Sequence, residues 1–206
     1  MSLEKILLVH TRFEQPAYRA ADIPPYTVPE IVFAGRSNVG KSSMLNKLAN
    51  QKSLARVSSV PGKTVSVNFY RCDRPGDFRL VDLPGYGYAK AARTDKAKWS
   101  SLVESYLIGR PVTMAVQLVD GRRPLTEDDE HMLHYFSEQQ IPFIIAMTKM
   151  DKMKSTEQAA RKNAFPAETG ADAAHIIPFS ARTGMGVAEF TAAIAAALPD
   201  AEQKES

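Results

Sequence analysis

The sequence has little of what a secreted or membrane-bound protein requires. Its 206 residues include one cysteine, Cys72, so no disulfide can form within the chain and a reducing compartment is expected. The apolar run at residues 6–9 is too short for the core of a signal peptide, and the alanine-rich run at 192–198 is too short to cross a bilayer. These absences predict a cytoplasmic protein without a membrane span.

The sequence also lacks a large excess of charge of either sign, because the formal net charge is only +3. That value permits contact with nucleic acid but does not require it. Apolar residues are plentiful at 44%, enough for the core of one α/β domain, which we expect to be monomeric. We predict an N-terminal extension at residues 1–27, interrupted by Pro24 and Pro25, a domain at 28–198 and a short polar tail at 199–206.

Strand and helix patterns alternate along the chain. Short apolar or alternating runs predict strands at 31–34, 65–69, 78–83, 113–120, 142–148 and 176–180. Helical patterns follow the glycine-rich loop at 35–42 and occupy 126–140, 155–163 and 186–198. This rhythm predicts an α/β fold of three layers, with a mostly parallel sheet and helices on both faces. The glycine-rich loop between a strand and a helix adds the expectation of a P-loop NTPase. Such sheets bind ligands at the carboxyl ends of their strands.

The most specific motif is a phosphate-binding loop. Residues 35–42 match G-x-x-x-x-G-K-[ST] at every fixed position, directly after a predicted strand and before a helix. The glycines let backbone amides point at phosphate oxygens, and the helix N-terminus adds positive partial charge. Lys41 is expected to reach the β- and γ-phosphates, and Ser42 to ligate Mg²⁺. The predicted nucleotide contacts in this loop are Gly35, Arg36, Ser37, Asn38, Val39, Gly40, Lys41 and Ser42.

A second motif favours guanine over adenine. The run Thr148-Lys149-Met150-Asp151 ends a predicted strand. Its aspartate can accept hydrogen bonds from the ring N–H and the exocyclic amine of guanine, a donor pair that adenine lacks, and Lys149 can cover the purine face. Alone, the run could simply cap the next helix. Its position, one strand–helix unit before Phe179-Ser180-Ala181, favours the guanine interpretation, with the Ala181 amide facing the guanine carbonyl.

Two further segments are predicted to sense the γ-phosphate. In Asp82-Leu83-Pro84-Gly85, which fits D-x-x-G, we expect Asp82 to hold Mg²⁺ and the Gly85 amide to contact the γ-phosphate. A loop that includes Gly62, Lys63, Thr64, Val65 and Ser66 should supply the other contacts. Because these contacts need the γ-phosphate, both segments can relax after hydrolysis. The predicted metal ligands are Ser42, Thr64 and Asp82.

Together these motifs resemble the bacterial EngB (YihA/YsxC) family of GTPases, in the group related to TrmE and Era. The most distinctive run is Pro84-Gly85-Tyr86-Gly87-Tyr88-Ala89, and threonine at the start of the guanine motif is typical of that family. The resemblance covers residues 28–198, although Val65 and Ser66 depart from a more polar pattern. It implies a GTPase that binds GTP, GDP and Mg²⁺ and acts in assembly of the large ribosomal subunit, with an associated role in cell division and septation.

Residues near the phosphate loop predict slow hydrolysis. Tyr86 stands where Ras-like enzymes have a glutamine that orients the attacking water. GTPases of the TrmE group use K⁺, held partly by a phosphate-loop asparagine that Asn38 matches. Asn38 either helps to place K⁺ or only stabilises a turn, and both alternatives stay open. The predicted catalytic residues are Asn38, Lys41, Thr64 and Gly85.

An aromatic and basic stretch follows the D-x-x-G motif, with Tyr86, Tyr88, Lys90, Arg93, Lys96, Lys98 and Trp99. It is either a surface for structured RNA or a solvated basic helix with Trp99 directed into the core. Two functions therefore remain: a GTP-hydrolysing switch on a ribosomal assembly intermediate, or a GTPase module that regulates an RNA-modifying or metabolic enzyme. An ATP-dependent kinase would require Asp151 to be irrelevant.

Overall fold

The structure is a computed structural model that describes residues 8–55, 65–73, 77–87 and 93–199, with residues 93–96 described as backbone only. Seven strands and five α-helices lie in these ranges. The strands are β1 (Thr11–Ala17), β2 (Glu30–Gly35), β3 (Val67–Cys72), β4 (Phe78–Asp82), β5 (Met114–Asp120), β6 (Phe143–Thr148) and β7 (Ile176–Pro178). The helices are α1 (Lys41–Leu48), α2 (Arg93–Leu107), α3 (Glu127–Glu138), α4 (Ser155–Thr169) and α5 (Val187–Ala197).

All seven strands form one sheet in the order β1-β3-β4-β2-β5-β6-β7. Strands β4, β2, β5, β6 and β7 pair in parallel, while β1 and β3 are joined to them by antiparallel pairings. The prediction of a mostly parallel sheet is confirmed. The parallel strands have their carboxyl ends at one edge, where the predicted motifs lie.

Helices cover both faces of the sheet because the central strands bury both of their faces. Ile31 and Phe33 of β2 belong to one hydrophobic cluster, and Val32 and Ala34 belong to another. Helices α1 and α5 pack on the first cluster, and α2 and α3 pack on the second. Cys72 is buried in the first cluster, as expected for a small strand residue. Among the described residues, no helix has the length and apolar character needed to cross a membrane.

Strand β1 was not predicted, since it falls within the segment assigned to the N-terminal extension. It pairs with β3 at the edge of the sheet, so residues 11–17 are part of the sheet. Its middle residues are exposed or half-buried, and only the end residues Thr11 and Ala17 are buried. Residues 11–17 therefore lack the alternation of apolar and polar residues by which a strand is recognised in a sequence. Pro16 is tolerated because an edge strand has unpaired backbone groups on one side.

Helix α4 is longer than predicted. The prediction ended near residue 163, but the helix runs through Pro166 to Thr169 and ends at Gly170, whose φ is 66°. Phe165 is fully buried in a third cluster with Ile145 and Met147, and that packing holds the turn which contains the proline. Strand β7 is shorter than the predicted run of 176–180, since Phe179 and Ser180 follow it in a loop at the edge where the motifs lie.

Candidate nucleotide-binding site

The phosphate loop leaves β2 and turns into α1. Gly35 ends β2 beside β5, where an added Cβ would lie 2.8 Å from the carbonyl oxygen of Leu118, so a larger residue does not fit. Asn38 and Gly40 have φ values of 64° and 114°, a left-handed backbone that asparagine and glycine tolerate best. Helix α1 starts immediately afterwards at Lys41. The loop thus has the strand–loop–helix context that the sequence predicted.

Lys41 and Asp82 meet at the base of this loop. The Lys41 Nζ lies 2.6 Å from Asp82 Oδ1, and both side chains are mostly buried. Asp82 is the last residue of β4, and Ser42 is the second residue of α1. A carboxylate and a hydroxyl are hard oxygen donors of the kind that Mg²⁺ prefers, and a lysine beside them suits phosphate oxygens. The donor set therefore fits a magnesium–phosphate ligand.

The D-x-x-G segment lies directly against the phosphate loop. The Ser37 N–H donates to the carbonyl oxygen of Tyr86 over 2.9 Å, and Ser37 Oγ donates to the Gly85 carbonyl over 3.3 Å. A Cβ added to Gly85 would lie 2.8 Å from Ser37 Oγ and 2.9 Å from Ser37 Cα and N. Tyr86 also forms an isolated parallel bridge with Arg36. Position 85 must therefore be glycine for this contact to form.

Tyr86 is buried, which argues against the RNA-surface alternative for this residue. Only 6% of the residue is accessible to solvent. Its hydroxyl donates to Asp129 Oδ1 over 2.6 Å and accepts a hydrogen bond from the side-chain amide of Gln117. Burial, and after it the charge of Asp129, raises the pKa of the Tyr86 hydroxyl far above its usual value. Its ring is therefore not free to stack on bases.

Trp99 on α2 packs inward, as one of the two alternatives expected. It is half-buried, and its ring meets Tyr86 edge-on with centroids 6.0 Å apart. Its Nε1–H donates to the carbonyl oxygen of Pro84 over 2.7 Å. Lys98, the next residue back, is exposed. Tyr88 and Lys90 lie outside the described residues, as do the side chains of Arg93 and Lys96.

The predicted guanine motif is joined to the phosphate loop by Thr148 and Lys149. The Thr148 Oγ1 lies 2.8 Å from the Val39 carbonyl oxygen and 3.0 Å from that of Val119, within hydrogen-bonding distance of both. The Lys149 Nζ donates to the carbonyl oxygen of Asn38 over 2.7 Å. A threonine hydroxyl and a lysine thus tie two segments that are more than 100 residues apart in the chain.

Asp151 is held with its carboxylate oriented by two side chains. The buried Ser180 hydroxyl donates to Asp151 Oδ1 over 2.7 Å, and Arg182 Nε donates to Oδ2 over 2.8 Å. The hydrogen bond from Ser180, supported by Arg182 and opposed by burial, lowers the pKa of Asp151. Phe179 N–H donates to the Met147 carbonyl over 2.8 Å, which brings the segment 179–181 beside the guanine motif. The carboxylate is ionised and can accept hydrogen bonds from a ligand.

Asp120 and Arg182 are site residues that the sequence reasoning missed. Asp120 ends β5 and accepts a hydrogen bond from Lys149 Nζ over 3.0 Å. Burial favours a higher pKa for Asp120, but hydrogen bonds from Arg122 and Lys149 outweigh it and lower the pKa. Its place at the end of a predicted parallel strand was the available signal. Arg182 directly follows the predicted Ala181, and sequence offers no signal that it would turn back to Asp151.

The loop before β3 is described only in part. Gly62, Lys63 and Thr64 lie outside the described residues. Val65 packs on the second hydrophobic cluster, and Ser66 Oγ donates to Asn68 Oδ1 over 3.2 Å. These two side chains are thus engaged at the start of β3.

Comparisons with known proteins agree with this geometry. Residues 30–149 match the model of a family described as 50S ribosome-binding GTPase. A probable GTP-binding protein EngB from Gemmatimonas aurantiaca is 46% identical over 180 residues, which cover 86% of this chain and 87% of that protein. One from Anaeromyxobacter dehalogenans is 39% identical over 206 residues, which cover 96% and 95%.

Solved structures share the fold. A crystal structure of a probable GTP-binding protein EngB superposes with a TM-score of 0.67 at 24% identity, covering 82% of this chain and 97% of that one. Era from Aquifex aeolicus, bound to GDP and AlF₄⁻, superposes with a TM-score of 0.66 at 21% identity, covering 83% and 57%. With the family match over more than half of the sequence and relatives of 39–46% identity, the chain belongs to the EngB family of P-loop GTPases.

Proposed function

We propose that this protein binds GTP and GDP, hydrolyses GTP slowly with Mg²⁺, and acts in the cytoplasm as a switch in assembly of the large ribosomal subunit. The proposal includes an associated role in cell division and septation. The observation that carries the nucleotide assignment is the geometry of Asp151, an ionised carboxylate fixed by the buried Ser180 hydroxyl beside the phosphate loop.

Guanine presents a ring N–H and an exocyclic amine on the same edge, and these two donors match the two oxygens of a carboxylate. Adenine has no such donor pair to offer the Asp151 carboxylate, and the missing hydrogen bonds would lower its affinity greatly. The Lys149 side chain links the loop that carries Asp151 to the phosphate loop, since its Nζ donates hydrogen bonds to the Asn38 carbonyl and to Asp120. We assign Thr148, Lys149, Met150 and Asp151 to the base, together with Phe179, Ser180 and Ala181.

The phosphates would occupy the region where Lys41 and Asp82 meet. These two side chains lie 2.6 Å apart, so a phosphate could take the ammonium while Mg²⁺ takes the carboxylate. Bound Mg²⁺ would neutralise the charge that develops on the phosphates. Ser42 and Asp82 are the described residues that would hold it, and Thr64 would be the third.

Slow hydrolysis follows from the position of Tyr86. The residue after Gly85 would need a side chain that reaches water beside the γ-phosphate, but the Tyr86 hydroxyl is bonded to Asp129 and Gln117 in the core. Asn38 is exposed and has a left-handed backbone, which suits either the K⁺ role or the turn role. Equal GTPase rates in K⁺ and Na⁺ buffers of matched ionic strength would rule out the K⁺ role.

The ribosomal part of the proposal is supported by the family match, whose description names the 50S particle. It can be tested by sedimenting the tagged protein with ribosomal particles from lysate, in the presence of a non-hydrolysable GTP analogue or GDP. We expect co-sedimentation with large-subunit particles with the analogue only. Recovery of a single enzyme partner, with no ribosomal particles, would support the alternative regulatory function instead.

A matched variant makes this test specific to the site. In Asp151→Asn the side-chain amide can donate to the carbonyl that xanthine has in place of guanine's amine, so xanthosine nucleotides should replace guanosine nucleotides. The variant should bind particles with a xanthosine triphosphate analogue and not with the GTP analogue. Binding of the variant without regard to nucleotide would contradict a nucleotide-controlled switch.

A further inference from the structure

The D-x-x-G segment turns carbonyl oxygens towards the phosphate loop, where that of Gly85 accepts a hydrogen bond from Ser37 Oγ. No further carbon fits between Gly85 and Ser37, where an added Cβ would lie 2.8–2.9 Å from three Ser37 atoms. The Ser37 N–H is already bonded to the Tyr86 carbonyl. Because these two carbonyl oxygens would repel a phosphate, we expect the segment to shift away from Ser37 when the Gly85 amide contacts a γ-phosphate, as the proposed function requires.

The Tyr86 side chain opposes that shift, because it anchors the segment to two elements of the core. Its hydroxyl bonds Gln117 of β5, which is fully buried, and Asp129 of α3. Asp129 in turn accepts hydrogen bonds from Thr126 N–H and Oγ1, over 3.0 Å and 2.7 Å, at the start of α3. The anchor thus joins the segment to a strand and a helix terminus that have their own packing.

Gln117 depends on this contact. Its amide nitrogen bonds the Tyr86 hydroxyl, and within the described part of the chain its Oε1 is buried with no hydrogen-bond partner. Moving the tyrosine would leave a buried amide and a buried carboxylate without the hydroxyl. Unmade hydrogen bonds of buried groups are costly, so the observed position of the segment is favoured.

We propose that Tyr86 is a positioning residue that holds the D-x-x-G segment against the phosphate loop, and thereby favours GDP over GTP in this site. This inference rests on the proposed function, since it concerns the same nucleotide site. Trp99 supports the position from α2 through its hydrogen bond to the Pro84 carbonyl. The sequence interpretation placed Tyr86 in the aromatic and basic stretch and gave it no part in nucleotide binding beyond the absence of a glutamine.

Replacing Tyr86 by phenylalanine should raise the affinity for GTP relative to the affinity for GDP. In the wild type, moving the segment breaks the hydroxyl contacts, whereas in Tyr86→Phe they are lost in both positions. The free-energy cost of moving the segment is then smaller in the variant, so its affinity for GTP rises relative to its affinity for GDP. One buried hydrogen bond is worth about 1 kcal/mol, so the ratio of affinities for a non-hydrolysable GTP analogue and GDP should rise about fivefold.

The test is equilibrium binding of fluorescent GDP and of the GTP analogue to the wild type, Tyr86→Phe and a matched control, Tyr106→Phe. Tyr106 is also buried and its hydroxyl donates to Glu30 over 2.8 Å, at the opposite end of the sheet. The control loses a comparable hydrogen bond and should keep the wild-type ratio. An unchanged ratio in Tyr86→Phe, or the same change in Tyr106→Phe, would overturn the proposal.

If Tyr86→Phe does not fold, Trp99→Phe provides a second route. It removes the Nε1–H donor to Pro84 and keeps an aromatic ring beside Tyr86, so the ratio should shift in the same direction by a smaller factor. A ratio unchanged in this variant would also count against the proposal. Failure of the wild type to bind either guanine nucleotide would instead contradict the proposed function, and the two failures are thus distinguishable.

Discussion

The two ends of the sheet both bury charge, but they satisfy it differently. At the end opposite the site, Glu30 is fully buried and accepts from Arg110 over 2.6 and 2.7 Å, from Tyr106 over 2.8 Å and from Arg79 over 3.4 Å. Arg79 also bonds Glu14 of β1 over 2.8 Å and 3.0 Å. We call these five residues the basal ion cluster. Each charge in the cluster meets an opposite charge of the chain itself, and Glu30 and Arg79 each meet two.

At the site end, the ion pairs join residues that a ligand could engage in place of the present partner. Lys41 pairs with Asp82, and the 76% exposed side chain of Arg182 reaches back to Asp151. Such contacts orient the ligand-binding side chains in the free protein. A phosphate, a metal ion or a base can replace the partner in each pair when the ligand binds. The comparison indicates that the basal ion cluster stabilises the fold and that the site binds the ligand. Substitutions at one end should therefore change the free energy of unfolding, and substitutions at the other should change the affinity for nucleotide.

The largest effect on binding is expected from Asp151→Asn. It exchanges one acceptor oxygen for a donor that faces the guanine amine, and we expect the affinity for GDP to fall about 1,000-fold because a polar site rejects a mismatched partner strongly. The affinity for xanthosine diphosphate should rise, and competition binding measures both. If the site serves binding rather than stability, the free energy of unfolding without nucleotide should change by no more than about 1 kcal/mol. The charged partner of Asp151, Arg182, is 76% exposed, and the amide oxygen of the variant can still accept from Ser180.

Glu30→Gln is expected to lower the stability of the fold and to leave the affinity for GDP unchanged. It leaves Arg110 and Arg79 without the buried carboxylate, and removal of one partner from a buried ion pair typically costs about 3 kcal/mol or more. Denaturant unfolding should show that loss. The affinity of the folded variant for GDP should match the wild type at a temperature where both are folded, and a loss of affinity as large as that of Asp151→Asn would undo the distinction between the two ends.

A smaller effect is expected from Arg182→Ala. Guanine must displace Arg182 from Asp151 Oδ2 before it can use both oxygens, so removal of the arginine should speed GDP association and tighten binding. Exposed ion pairs contribute about 0.2–1 kcal/mol, so the gain should be at most about fivefold, and it should shrink at high salt. Arg182→Lys is the matched control with the charge retained. Weaker GDP binding in Arg182→Ala would mean that the arginine contacts the nucleotide instead.

The fold was largely predictable because its signals are local. The phosphate loop needs glycine at fixed positions, and β2 and β6 read as short apolar runs because both of their faces are buried. Strand β1 escaped prediction because its middle is polar and it contains Pro16, and its place depends on pairing with β3. The length of α4 was missed because Pro166 normally ends a helix, whereas burial of Phe165 keeps this one intact.

The candidate site was predictable at the level of motifs, but not of side-chain direction. Gly35, Lys41, Asp82 and Thr148 all lie at the predicted edge of the sheet. The burial of Tyr86 was not predicted, since nothing in the local sequence shows that its hydroxyl would bond to Gln117 and Asp129, 31 and 43 residues away. Contacts of that kind depend on tertiary packing, which a motif of four residues does not encode.

The central claim is that the carboxylate of Asp151 makes this a guanine site. It is tested most directly by competition for the wild-type protein, with fluorescent GDP displaced by unlabelled GDP, GTP, ADP and ATP in Mg²⁺ buffer. We predict displacement by both guanine nucleotides, and at least about a 1,000-fold weaker effect of both adenine nucleotides. Displacement by ATP or ADP at concentrations similar to those of GTP or GDP would contradict the account.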